Sequence, residues 1–152
     1  MRIVDFIRDD LIIPQLRARD PDGAIGELGD LLAGHLAEVS EEDIVRVLAE
    51  RERQGSTAIG GGVAIPHAKL PGIRSAVACV GRSSRGIDFG SPDGKPTHLF
   101  FGLIAPEGAH GEHLKALARI SHSLRNGDFR TRLMAARSAR EIYELLAAEP
   151  AQ

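Results

Sequence analysis

Residues 56–69 read Ser56-Thr57-Ala58-Ile59-Gly60-Gly61-Gly62-Val63-Ala64-Ile65-Pro66-His67-Ala68-Lys69, which sets a histidine directly behind a proline and downstream of three consecutive glycines. Glycines let a backbone turn tightly and let another molecule approach closely. Pro66 fixes its own φ and biases Ile65 toward an extended conformation. Such a segment presents an imidazole at a defined angle. Histidine titrates near neutrality, at about 6.5 when unperturbed, so a neutral ring nitrogen of His67 is available as a nucleophile. A phosphoryl group is one electrophile such a ring takes. Its transfer asks a protein for positioning and for neutralisation of charge on the phosphoryl oxygens. Hydrogen-bond donors are therefore expected close to His67.

Arg51 is the first candidate. A helix opening at Ser40 carries Ile44, Val47 and Leu48 on one stripe, and residue 51 is the next position on it. A guanidinium there either complements the helix C-terminus in water or points into a pocket. Arg53 falls on the charged face. His113 is the second candidate, in the first turn of a later helix, where backbone N–H groups favour an anion. The alternative is a half-buried histidine at a helix start. The hydroxyls of Ser56 and Thr57 bond either an oxyanion or, more commonly, the local backbone. Lys69 reads as a solvated flanking charge.

Other chemistries fit poorly. Neither Gly-x-x-x-x-Gly-Lys-Ser/Thr nor Gly-x-Gly-x-x-Gly occurs around Gly60–Gly62, which removes the usual nucleotide loops. His110 and His113, three apart, with His67 or His98, make a weak metal-ligand spacing, and no metal site is assigned. Cys79, the single cysteine, lies in an apolar run and reads as a small core residue. A net charge of −2 gives no basic field for nucleic acid or an anionic membrane. No stretch approaches the roughly 18–20 apolar residues of a membrane span. The N-terminus, with Asp5 early and no long apolar core, lacks a signal-peptide pattern, so a cytoplasmic location is expected.

The elements that must hold these residues are also legible. A length of 152 residues suits a single domain, residues 1–152, with a real core. Asp20-Pro21 caps a helix carrying Ile25, Leu28, Leu31, Leu32 and Leu36. Ser40 through Asp43 resembles a capping box, Glu42, Arg46 and Glu50 form a paired outer face, and Gly55 is a stop. Ser75–Val80 and His98–Ala105 read as buried strands joined by a turn over Ser91–Pro96. Beyond Pro106, Leu114, Leu117, Ser121 and Leu124 are expected on one helical face up to Asn126-Gly127. A short helix then restarts at Asp128, and Ser138 caps a last one carrying Ile142, Leu145 and Leu146. Helices, then strands, then three helices predict an α/β domain with helices on both faces of its sheet.

With these residues in view, the chain resembles the enzyme IIA proteins of the fructose/mannitol/nitrogen class of the bacterial phosphotransferase system. The resemblance rests on Arg51-Glu52 through Ser56-Thr57, Ile59-Gly60, Gly62 and Ala64-Ile65-Pro66-His67. It rests further on Leu103–Pro106 and on His113-Leu114-Lys115-Ala116-Leu117-Ala118. It implies a three-layer α/β/α sandwich with a mixed sheet flanked by helices. It also implies that His67 accepts a phosphoryl group on Nε2 from a phosphorylated HPr-like carrier, with Arg51 and His113 bonding the phosphoryl oxygens. No cofactor, metal or nucleotide is implied. Nor is nucleic acid or membrane insertion. The flanking sequence is most like the nitrogen-related members, whose partner is a regulatory target. A sugar-branch member, handing the group to an enzyme IIB, and a binding module without transfer are the alternatives. One departure is Gly61, a position that often bears a polar side chain.

Overall fold

The two apolar runs read as strands form the centre of the sheet. β5 (Val77–Ile87) and β6 (Thr97–Pro106) pair antiparallel in a computed structural model that describes residues 1–108 and 110–150, the side chain of His110 excepted. The remaining strands are β1 (Ile7–Ile13), β2 (Ala58–Gly60), β3 (Val63–Ala64) and β4 (His67–Leu70). The sheet order is β1-β5-β6-β3-β2, with β4 also paired to β6. β1 runs parallel to β5, and β3 and β4 run parallel to β6, whereas β2 pairs antiparallel with β3, so the sheet is mixed.

Alternate strand residues feed two cores. Val80, Leu99, Phe101 and Leu103 point to one side, toward helices α3 (His110–Ser123), α4 (Gly127–Ala135) and α5 (Ala139–Ala147). Cys79, Phe100 and Ile104 point to the other, toward α1 (Pro21–His35) and α2 (Glu41–Arg53). The result is a three-layer α/β/α sandwich. Among the described residues no helix is long and apolar enough to cross a membrane.

The capping residues act as their types dictate. Asp20 accepts from the Gly23 N–H, Ser40 from Asp43 and Ser138 from Glu141. Asn126 accepts from Asp128 and Phe129, so α4 begins at Gly127, directly behind it. On the outer face of α2, Arg46 pairs with Asp43 at 3.1 Å and Glu50 at 3.8 Å rather than with Glu42. Cys79 is fully buried, and desolvation pushes its thiol up to about 12, which leaves it inert as a nucleophile.

The structure departs from the sequence reading in three further places. β1 is a strand that periodicity misses, because Arg8, Asp9 and Asp10 are all exposed and its register with β5 shifts between Ile7 and Ile12. β5 runs past Val80 through two buried polar residues, Arg82 and Ser83. The Arg82 guanidinium is satisfied by carbonyl oxygens of Pro14, Leu133, Met134 and Ala136, so no carboxylate is needed. Finally, α3 is rotated from its expected setting. Its buried residues are His113, Ala116, Arg119, Ile120 and Ser123, with Leu117 packed against the core, whereas Leu114 is 64% exposed. Polar residues on the buried face hide it from hydrophobic periodicity.

Candidate active site

β3 and β4 are one strand that a proline interrupts. Ala64 lies opposite Phe100 and His67 opposite Leu103, so the step in numbering is the same on both sides of Ile65-Pro66. Pro66 has no N–H to give the ladder, yet its carbonyl still accepts from Leu103 at 2.9 Å. The segment is therefore held in register while its pairing is thinned just before His67. Upstream, Gly60, Gly61 and Gly62 have φ of 89°, 64° and 81°, the left-handed conformation that makes the tight β2–β3 turn possible. A Cβ on Gly61 would stand 3.1 Å from the Arg130 guanidinium carbon, which gives a packing reason for glycine there.

Alternation places Ile65 in the α3-side core and Ala64 and Ala68 on the α2 side, so His67 projects toward α3. Its ring centroid is 5.3 Å from that of His113, with the planes tilted by 60°. Among the described residues β4 pairs with β6 alone, and α2 packs against it. The last turns of α2 thus reach the same place from the opposite layer. Val47, Glu50, Arg51, Gln54, His67, Ala68, Lys69 and His113 line one cavity of 350 Å³. The three residues singled out from the sequence, His67, Arg51 and His113, meet there. Lys69, expected to be a solvated flank, is partly buried on the cavity wall.

The protonation of His67 follows from its neighbour. Nδ1 lies 2.7 Å from the carbonyl oxygen of Ile65. A carbonyl only accepts, so Nδ1 carries the hydrogen and the lone pair of the neutral ring sits on Nε2. Burial lowers the His67 pKa below the ordinary histidine value, and the nearby Arg51 cation lowers it further. The bond to Ile65 and the Glu52 carboxylate oppose this without reversing it. The ring is therefore neutral, and nucleophilic at Nε2, at neutral pH.

Arg51 is held at the mouth, partly exposed, by donating from one guanidinium nitrogen to the Gly55 carbonyl at 2.8 Å. Its remaining donors match the oxygens of a tetrahedral anion. His113, by contrast, is only 6% exposed and forms the inner wall. The hydroxyls of Ser56 and Thr57 serve the local structure. Ser56 donates to Phe89, and Thr57 donates to Glu52 at 2.6 Å. Glu52 also accepts the Thr57 N–H at 2.9 Å, a clamp that sequence periodicity missed because Glu52 lies off the stripe. A carboxylate five residues ahead of a threonine, across a helix end, was its only signal.

His98 belongs elsewhere. Its Nδ1 contacts Ser83 and its ring lines a separate cavity with Arg130 and Gly62. Among the described residues no group of histidine, cysteine and carboxylate side chains has a metal-binding arrangement. The side chain of His110, one of the residues weighed for such a site, lies outside the described set.

Residues 5–149 match the family described as "Phosphoenolpyruvate-dependent sugar phosphotransferase system, EIIA 2". A nitrogen regulatory protein of Bradyrhizobium diazoefficiens is 44% identical over 151 residues, spanning 99% of this chain and 98% of that protein. The fructose-specific EIIABC component of Bacillus subtilis is 34% identical over 148 residues, which cover 96% of this chain and 23% of that longer protein. The crystal structure of nitrogen regulatory protein IIA-Ntr from Neisseria meningitidis matches with a TM-score of 0.89 at 33% identity, covering 95% of this chain and 98% of that one.

Proposed function

Because this chain belongs to the EIIA 2 family of the phosphoenolpyruvate-dependent sugar phosphotransferase system, we propose that it carries a phosphoryl group on His67, taken from a phosphohistidine on an HPr-like protein. The observation that carries this reading is the Nδ1–H of His67 bonded to Ile65, which puts the lone pair on Nε2 in a cavity shared with Arg51 and His113.

The step balances without a cofactor. Nε2 attacks phosphorus, the bond to the donor nitrogen breaks, and its electron pair returns to the donor ring. Positive charge then develops on the His67 ring, and the Nδ1–H bond to the Ile65 carbonyl strengthens as it does. No proton has to leave during transfer. Arg51 and His113 share the charge of the phosphoryl oxygens as the group crosses. A fixed guanidinium stabilises that charge with little reorganisation, which is where most of the acceleration arises.

The similarity to nitrogen regulatory proteins over nearly the full chain favours a regulatory carrier, whose phosphorylation state selects its target. Phosphorylation would place about −1.5 to −2 charge at the cavity mouth, enough to repel or attract a partner surface. The match to a fructose-specific component supports a second reading, in which the group passes on to an enzyme IIB.

The test is incubation with phosphoenolpyruvate and the upstream carriers, followed by mapping of any acid-labile modification. Label on His67, lost in His67→Ala, is expected. Label retained in that variant removes the assignment. Transfer of the label to a purified enzyme IIB would select the sugar branch, and capture of a non-permease protein in one phosphorylation state only would select the regulatory one.

A further inference from the structure

Three residues, Glu52, Thr57 and Ile65, connect the end of α2 to the His67 ring. The Glu52 carboxylate accepts both the N–H and the hydroxyl of Thr57, at 2.9 and 2.6 Å. The Thr57 carbonyl accepts the N–H of Ile65 at 3.0 Å. The Ile65 carbonyl, finally, accepts the Nδ1–H of His67 at 2.7 Å. Ile65 precedes a proline, so its ψ is already restricted, and the N–H bond to Thr57 restrains its φ. Its carbonyl direction, and with it the tautomer of His67, then depends on where Thr57 sits. Thr57 in turn sits where a two-pronged carboxylate holds it.

We propose that Glu52 is a positioning residue for phosphoryl transfer: through Thr57 and Ile65 it keeps the Nδ1 hydrogen of His67 on the Ile65 carbonyl and the Nε2 lone pair facing the cavity. Glu52 does not touch the phosphoryl group. It is also no general base, because both of its carboxylate oxygens are engaged by Thr57. The effect on transfer rests on the carrier reading above, whereas the effect on the ring does not. A bidentate acceptor is needed because one Thr57 bond alone leaves the residue free to pivot about the other.

The charge of Glu52 contributes in the same direction as its geometry. It opposes the lowering of the His67 pKa by burial and by Arg51, as does the Ile65 hydrogen bond that it supports. The other charged or titratable groups around the cavity are Lys69 beside the ring on β4, Glu50 and Arg51 on α2, and His113 on α3. Removing Glu52 therefore lowers the His67 pKa further, while its neighbours stay in place.

The experiment is nitrogen-15 NMR of the histidine rings in the intact chain, with the transfer rate from a phosphorylated HPr-like donor measured alongside. Wild type is expected in the Nδ1–H tautomer. In Glu52→Ala both tautomers are expected, with the His67 titration moved to lower pH and transfer slowed about 10- to 100-fold, the scale of a misplaced reacting group. Glu52→Gln, which keeps acceptor geometry on one prong, is expected between the two. Thr57→Val, which loses the hydroxyl prong but keeps the Glu52 charge, should show both tautomers and slowed transfer with a smaller change in titration. A Glu52→Ala protein with the wild-type tautomer and titration, or one that melts earlier but transfers at the wild-type rate, overturns the proposal. Should Glu52→Ala not fold, the same two outcomes in Glu52→Gln and Thr57→Val decide it. If wild type accepts no phosphoryl group, the carrier reading fails, and the tautomer comparison still tests Glu52.

Discussion

α2 and α3 reach His67 from opposite layers of the sheet and deliver one side chain each, by opposite means. α2 is a regular amphipathic helix. Ile44 and Leu48 are wholly buried, and Arg51 stands one turn further on, at the end where water still reaches it. A cation there needs little desolvation and gains from the helix C-terminus. α3 instead keeps His113 among its buried residues and turns Leu114 out to solvent. The guanidinium thus stands at the rim of the cavity and the second imidazole forms its inner wall.

The difference can be broken or sharpened by substitution. The largest effect is expected from Leu48→Ala, which removes a fully buried side chain of α2 and should cost about 2–5 kcal/mol in denaturant unfolding. Arg51→Ala tests the rim: transfer should fall about 100-fold while the melting temperature barely moves, because the group is partly exposed. An equal loss of stability would mean that α2 carries Arg51 as a structural cap. His113→Ala should slow transfer about tenfold, leave residual labelling, and also lower stability by about 1–3 kcal/mol, since it opens a void behind the ring. Wild-type transfer in that variant would remove the proposed role of α3.

A pH series sharpens the contrast further. His67 is held below the ordinary histidine pKa, so the folded ring stays neutral when an unfolded one has begun to protonate. Transfer should therefore persist as pH falls through about 6.5 and decline only below it. Folding stability falls over the same window, from the unfolded pKa down to the folded one, as the unfolded chain takes up the proton first. Because Arg51 helps hold that pKa down, Arg51→Ala should move the acid limb up, opposite in sign to Glu52→Ala. An unmoved limb would separate the guanidinium electrostatically from the ring. The smallest effect is expected from Leu114→Ala, under about 0.5 kcal/mol on unfolding despite its place in an apolar-looking helix.

Leu114 also marks how far the sequence could be read. In α1, α2 and α5, capping residues and apolar spacing agree, and the structure follows them to within a residue or so. The same agreement pointed to Arg51 as the next position on the α2 stripe. In α3 the expected face is the buried one only in part: Leu124 is buried and Leu117 packs on the core, but Leu114 is exposed while His113, Arg119 and Ser123 take core positions. β2, β3 and β4, of three, two and four residues, are too short for any periodicity to register. Their pairing is set by β6, and only there does the unbroken register across Pro66 become visible.

The sequence alone determined the local matters: where helices start, which runs are apolar enough to lie at the centre of the sheet, and which histidine sits on a bend stiffened by proline. These depend on neighbours a few residues away, through side-chain capping, φ restriction and hydrophobic periodicity. Tertiary structure decided what depends on distant partners. It turned α3 so that His113 faces His67, brought the end of α2 over the edge of β4, and linked Glu52 through Thr57 and Ile65 to one hydrogen on one imidazole. Contacts of that kind arise when the fold brings segments within hydrogen-bonding distance, and beyond the five-residue interval between Glu52 and Thr57 the spacing along the chain carries little trace of them.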